Sequence, residues 1–416
     1  MRKWIPSDSR SFTILLGALA IILVMFIVIY PDQIFKSSLH GLTIWWTFVF
    51  PGLLPFLILS EMMIGLGLVH ALGTVLEPVM KLVFRLPGAS GWALAMGLTA
   101  GFPAGADVTG QLRREGVLNA SEAQRLLAVS HLCSPVIMIA VVGVGFLQSP
   151  EAGFMIAVVH YLSALAMGFT LRWTDSSERT SVPSGSGTET AGRNHGWLRR
   201  TAGSLRSAHR KDGRTFGKLL GDSVTSAAQK LLGIGGYIIL FSVLHRILVL
   251  ALGPIVSAEP VNTLLSAFLE PHLGMYGMSR LSFPLLMTVA VIGAILGWSG
   301  LSLHAQARSL AGNNGIRYSP FILARLLHGA YAFILTVLLW KPLTATFGVV
   351  GTFAMTDTLT SPPNAAGSLL SDAGAFWTQG LKLWPLLAKL YVFVAGIFVL
   401  LICISLINRA YRKKTG

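Results

Sequence analysis

The sequence predicts an all-α polytopic membrane protein of two repeat halves, with about eight spans plus two re-entrant or discontinuous segments. Three observations predict it. Only 12% of the 416 residues are charged, against about 25% in soluble domains, while 53% are hydrophobic and the mean hydropathy is +0.67. The 32 Lys and Arg outnumber 17 Asp and Glu and gather in short segments between apolar runs, the positive-inside pattern. The 44 Gly and 19 Pro are many for a chain that must be helical in lipid, which points to broken helices buried within protein.

The elements follow in order from the roughly 20 apolar residues that a bilayer core requires. Residues 1–37 hold a basic head and a first span, Phe12 to Tyr30, too long for the apolar core of a signal peptide. Residues 38–172 form the first membrane repeat. Within it, Leu42 to Gly67 is a span interrupted by PGLLP, and 68–87 suits an interfacial helix. The run 93–111 is broken at GFPAGA, and 126–147 and 152–171 are spans. Residues 173–218 carry nine Lys or Arg against four Asp or Glu and read as a basic cytoplasmic linker. The second repeat, 219–355, offers 231–252, an amphipathic stretch 261–274, a broken run 283–304, the span 321–340 and a weak run 343–355. Residues 356–416 are a polar connector, a last span 386–407 and a basic tail. With both termini and the linker inside, GFPAGA must turn the chain back so that Arg113 and Arg114 stay cytoplasmic.

The halves resemble one another in order. Val49–Met62 pairs with Leu231–Leu244, Gly101–Leu112 with Gly297–Arg308, and the runs ending at Leu127 and Leu327 with each other. The first pair enters from opposite sides, so the repeats are expected to be inverted, with substrate near the midplane at the matching breaks.

The candidate substrate site is drawn from those breaks. Gly101, Pro103 and Gly105 loosen one helix and expose backbone groups that suit a carboxylate, with Asp107 and Thr109 just after them. Gly297 to Gly300, with Ser299, forms the counterpart, followed by Ser302, His304 and Gln306. His131 and Ser134 join them from the next span, His131 as an anion binder or proton carrier. Glu61 is the candidate coupling carboxylate, or else an interfacial cap. Arg125 and Arg325 hold matching positions and read as boundary residues, with carboxylate clamping the rarer role. His160, His245 and His328 read as packing or boundary residues.

Other classes are disfavoured. Cys133 and Cys403 lie in apolar runs and make neither a disulfide framework nor a zinc site. There is no phosphate loop, HExxH or GxSxG, and Ser299 is followed by Leu301 where a nucleophile elbow needs Gly. No enzyme, cofactor, metal or nucleic-acid partner is expected. The expected partners are a small organic anion and the bilayer, and homo-oligomerisation is left open.

The segments WTFVFPGLLPFLILSEM, SGWALAMGLTAGFPAGA and REGVLNASEAQRLLAVSHLCSP resemble the YlbJ-type sporulation integral membrane proteins of spore-forming Firmicutes, within the nucleoside-recognition or gate-domain superfamily. The resemblance covers most of the chain outside 173–218 and the tail. It implies a transporter in a forespore-surrounding or mother-cell membrane that carries dipicolinic acid, a planar pyridine dianion, toward the forespore. Two carboxylates suit two broken-helix ends, and Phe102 and Trp298, at matching repeat positions, would flank an aromatic ring. A nucleoside or purine transporter and a non-transporting sporulation scaffold remain the alternatives.

Overall fold

The computed structural model describes residues 10–174, 197–312 and 315–347, with 392 and 396 as isolated positions. Every regular element among them is helical. The last predicted span, 386–407, the connector 356–380, most of the run 343–355 and the first half of the linker lie outside the described residues.

Helix α1 (Arg10–Ile29) is apolar all round, and Ile14, Val24 and Val28 are exposed, as on a helix that faces lipid. Helices α2 (Pro31–Ile44) and α3 (Phe50–Gly65) form one continuous rod through a π-helical segment, Trp45–Val49. PGLLP therefore does not interrupt this span, as the sequence suggested. Pro51 and Pro55 each lack a donor, and the wider turn just before them adjusts the ladder without breaking it. Helix α4 (Leu68–Leu82) follows, with Lys81 and Glu77 at its outer edge.

Helices α5 (Gly91–Thr99) and α6 (Ala104–Arg114) pack against one another and make the first hairpin, its tip at 100–103. Cβ atoms placed on Gly97 and Gly105 would both lie within 2.2 Å of the Ser130 carbonyl oxygen, so the two arms straddle that one group. The chain then runs through α7 (Ala120–Ser130), a break at 131–134, the π-helix Ile137–Phe146 and α8 (Pro150–Thr174). Arg125, midway along α7, donates to the Arg85 carbonyl at 3.5 Å, which ties α7 to the segment that leads into the hairpin. GFPAGA is thus a turn-back.

Helix α9 (Trp197–Asp212) belongs to the basic linker and packs on α4. Arg214 bonds Asp212 and Asp222 at the turn into α10 (Phe216–Leu252) and holds the Asp212 carboxyl below its usual range. Helix α10 runs antiparallel to α2–α3: Arg246 meets Gln33, Ser242 meets Ser37, and Leu231 accepts from Trp45. Helices α11 (Glu259–Leu269) and α12 (Pro271–Arg280) form the second hairpin, with Glu270 at its tip and Gly274 tight against Ala267. Then come α13 (Leu285–Trp298), a break at Ser299, α14 (Gly300–Ala311) and α15 (Tyr318–Phe347).

Five of these helical segments are long and apolar enough to cross a membrane: 31–65, 150–171, 216–256, 285–311 and 318–345. The proposed pairing of Gly101–Leu112 with Gly297–Arg308 fails in the structure. Residues 100–103 turn a hairpin, whereas Ser299 kinks a through-going helix. The chain does contain two hairpin tips, 100–103 and 269–271, each followed by a break, at 131–134 and at 299. Gly, Pro and Ser mark both kinds of interruption, so composition aligned unlike ones.

Breaking α7 frees carbonyls in the interior. Arg325, fully buried on α15, donates to Ala128 at 2.5 Å and His131 at 2.7 Å. It is therefore not a boundary residue. Arg325→Met is expected to lower the thermal unfolding midpoint in detergent, at about 1–3 kcal/mol for each carbonyl left without a donor. Arg325→Lys should fall between, and an unchanged midpoint for Met would remove the capping role. Gly105→Ala drives a methyl into the Ser130 carbonyl and should cost about 1–3 kcal/mol. Gly221→Ala, where nothing lies within 4 Å, should be neutral or slightly stabilising in the same assay.

Candidate functional site

Each hairpin tip rests on a break, and each contact needs a glycine in the left-handed region. At the first, Gly101 has φ +74 and a Cβ there would lie 2.7 Å from the Ser134 nitrogen. At the second, Gly300 has φ +67 and a Cβ would lie 2.5 Å from Pro271 Cδ. No other residue permits both the conformation and the approach.

Side chains supply the backbone partners that the breaks remove. At the first, Cys133 N–H donates to His160 Nε2 at 3.1 Å, Tyr161 donates to the Cys133 carbonyl at 3.1 Å, and Ser134 Oγ accepts from Ile137 N–H. At the second, His304 Nε2 donates to the Trp298 carbonyl at 2.8 Å while its Nδ1 faces the Tyr318 hydroxyl at 2.8 Å. Ser299, itself at φ +69, donates to the same carbonyl, and Trp298 Nε1 donates to Phe268 of the second hairpin at 3.0 Å.

A ladder of rings joins the two breaks. Phe102 lies 4.5 Å from His131, His131 5.3 Å from Phe321, Phe321 5.0 Å from His304, His304 4.4 Å from Trp298, and Trp298 5.3 Å from Phe268. Phe102 and Phe268 are thus the two ends of the ladder, and His131, Phe321 and His304 fill the interval between Phe102 and Trp298. Beside it His160 and His328 touch at 4.5 Å, and His328 Nε2 donates to the His160 carbonyl.

Of the residues singled out from the sequence, Gly101, Phe102, His131, Ser134, Trp298, Ser299 and His304 converge here. Ser302 and Gln306 are buried on α14. Pro103 is half-buried at the tip. Thr109 is spent on the Gly105 carbonyl and the Ser130 hydroxyl, its partners on α6 and α7. Asp107 is exposed on α6, and Glu61 pairs with Lys230 across α3 and α10, away from the breaks. Both ring nitrogens of His131 and the Ser302 hydroxyl are buried with no hydrogen-bond partner among the described residues.

Sequence reasoning read Arg325, His160 and His328 as packing or boundary residues and did not single out Phe321, Glu270 or His272. The signal for the last pair was available: an acidic residue just before a proline inside a weakly polar stretch is a helix cap.

Residues 46–150 match the Gate family, described as nucleoside recognition, a range that includes the first hairpin, the first break and the π-helix. The sporulation integral membrane protein YlbJ of Bacillus subtilis (strain 168) is 38% identical over 355 residues, 80% of this chain and 84% of that protein. No solved structure matches the chain. An identity of this size over most of both chains, with the Gate match on the hairpin and break, places the protein in the YlbJ family of sporulation integral membrane proteins.

Proposed function

We propose that the protein is a secondary transporter or facilitator for a small organic anion, and not an enzyme, working by alternating access between two inverted halves. The observation that carries this reading is the meeting of a hairpin tip with a broken helix twice over, with the two meetings joined by one ladder of rings. The first hairpin roots beside Arg85 and Arg125. The second roots at the other end, where Tyr276 meets Phe146. Two hairpins entering from opposite ends are what an inverted repeat requires. Adding α1, the broken α7 with its π-helix, and the run 386–407 to the five long helices gives eight spans and two re-entrant hairpins.

Three features favour an anion. Arg325 brings a cation to the first break, His131 and Ser302 offer polar atoms with no partner among the described residues, and the rings suit a planar group. Dipicolinate is the first substrate to test, moving across a membrane around the forespore, since the relative is a sporulation membrane protein. A nucleoside is the second reading, favoured by the Gate description.

Purified protein in proteoliposomes should exchange labelled dipicolinate above the rate of empty liposomes. His131→Ala and Ser302→Ala should each reduce exchange roughly ten- to a hundredfold, the loss of one hydrogen bond to a charged group. Flux of a labelled purine nucleoside with no dipicolinate flux would support the second reading. Absence of flux for both, with sporulation lost on deletion of residues 180–194, would leave a scaffold.

A further inference from the structure

Glu270 and His272 occupy the tip of the second hairpin. Glu270 has extended backbone, φ −143, and one carboxylate oxygen caps α12 by accepting Leu273 N–H at 2.8 Å. The other lies 2.7 Å from His272 Nδ1. The two side chains are 2% and 5% exposed, and His272 Nε2 is buried with no partner among the described residues. In the form with an ionised Glu270 and a neutral His272, the carboxylate only accepts, so Nδ1 carries the imidazole proton and Nε2 presents a bare lone pair.

In that state the pair has a net charge of −1 inside the protein. A proton added at Nε2 gives an imidazolium paired with the carboxylate, and the net charge becomes zero. Uncompensated buried charge is costly, whereas the paired form is compensated within its own hydrogen bond. We propose that the Glu270–His272 pair is a proton-binding site whose occupancy sets the affinity of the adjoining break for an organic anion. This rests on the transport reading above.

The tip is in contact with the break that it would control. Pro271 packs on Gly300, and Phe268 both accepts from Trp298 and stacks on its indole at 5.3 Å. Protonation removes a negative charge beside the site, so proton and anion raise one another's affinity by the same factor. A carrier that reorients only empty or with both bound then moves proton and anion in the same direction.

Among the elements packed on α11 and α12, α13 and the π-helix 137–146 carry no titratable side chain. Helix α14 carries His304 and Arg308. Helix α10 carries Lys218, Asp222, Lys230, Tyr237, His245 and Arg246, and α2 carries Asp32, Lys36 and His40. Of these, His304 touches Trp298, His245 bonds the Asn262 carbonyl, and His40 lies on the Tyr276 ring. The hairpin's own Arg280 also lies on that ring, and Glu259 opens α11. None of them is bonded to Glu270 or His272.

The test uses the full-length protein in proteoliposomes with the membrane potential clamped and labelled dipicolinate as probe. An inward proton gradient should raise accumulation by up to about tenfold per pH unit for one proton per anion. Glu270→Gln, which keeps an oxygen to cap α12, should still exchange label but accumulate no more with a gradient than without, and His272→Gln should behave alike. A gradient response equal to wild type in both variants overturns the proposal. If wild type exchanges neither labelled dipicolinate nor a labelled nucleoside, the transport reading fails. The proton site is then judged by infrared difference spectra of the purified protein between about pH 5 and 8. A carboxylate or imidazole band that titrates in wild type and is missing in both variants supports the site, and spectra unchanged by the substitutions overturn it.

Discussion

The bond from the Arg325 guanidinium to the carbonyls of Ala128 and His131 is the constraint on which the rest of the site depends. A helix broken inside a membrane protein leaves backbone acceptors with no water to meet them. A planar fork reaches two such oxygens at once, which a point-like ammonium does less well. Because Arg325 comes from α15 and the carbonyls from α7 and the break after it, the cap is also a tie between segments 194 to 197 positions apart in the sequence. Any rearrangement that separates these helices has to replace two charge-assisted bonds.

The same solution recurs at the partner break with different chemistry. There the helix that follows the kink supplies its own cap, His304 on the Trp298 carbonyl. The neighbouring long helices fill equivalent places: His160 of α8 bonds the first break, and a Cβ on Gly297 at the second would lie 2.5 Å from Gly329, beside His328 of α15. His160 and His328 then meet each other. Two unlike sequences thus reach one arrangement because both must close a gap in a buried backbone ladder.

The membrane class, the turn-back at GFPAGA and the discontinuity at GWSGLS were legible in the sequence because each follows from a local rule: apolar length, the placement of Arg113 and Arg114, and the conformational freedom of glycine. Partnership was not legible. Thr109, a candidate for lining the substrate site, is bonded to Gly105 and Ser130; Glu61, the candidate coupling carboxylate or interfacial cap, pairs with Lys230. Arg325 looked like a residue that reaches the boundary, since an arginine a few residues into a span usually does. Whether it snorkels outward or turns inward is decided by where α7 breaks, about 200 positions away, and no local pattern contains that.

Tertiary structure also separates histidines that the sequence lists alike. His160 is committed as an acceptor by Cys133 N–H, His328 as a donor by the His160 carbonyl, and His304 in both roles by Trp298 and Tyr318. Those bonds fix the tautomer of each ring and engage both nitrogens of His304, whereas His160 and His328 each keep a buried Nδ1 without a partner among the described residues. His131 is different. Its ring is held by contacts with Phe102 and Phe321, which fix its place and leave its chemistry unspent, and both nitrogens stay without a partner among the described residues. A polar ring held in place by its faces and edges, beside an arginine that already caps the adjacent carbonyl, is oriented for a ligand without being consumed by the fold.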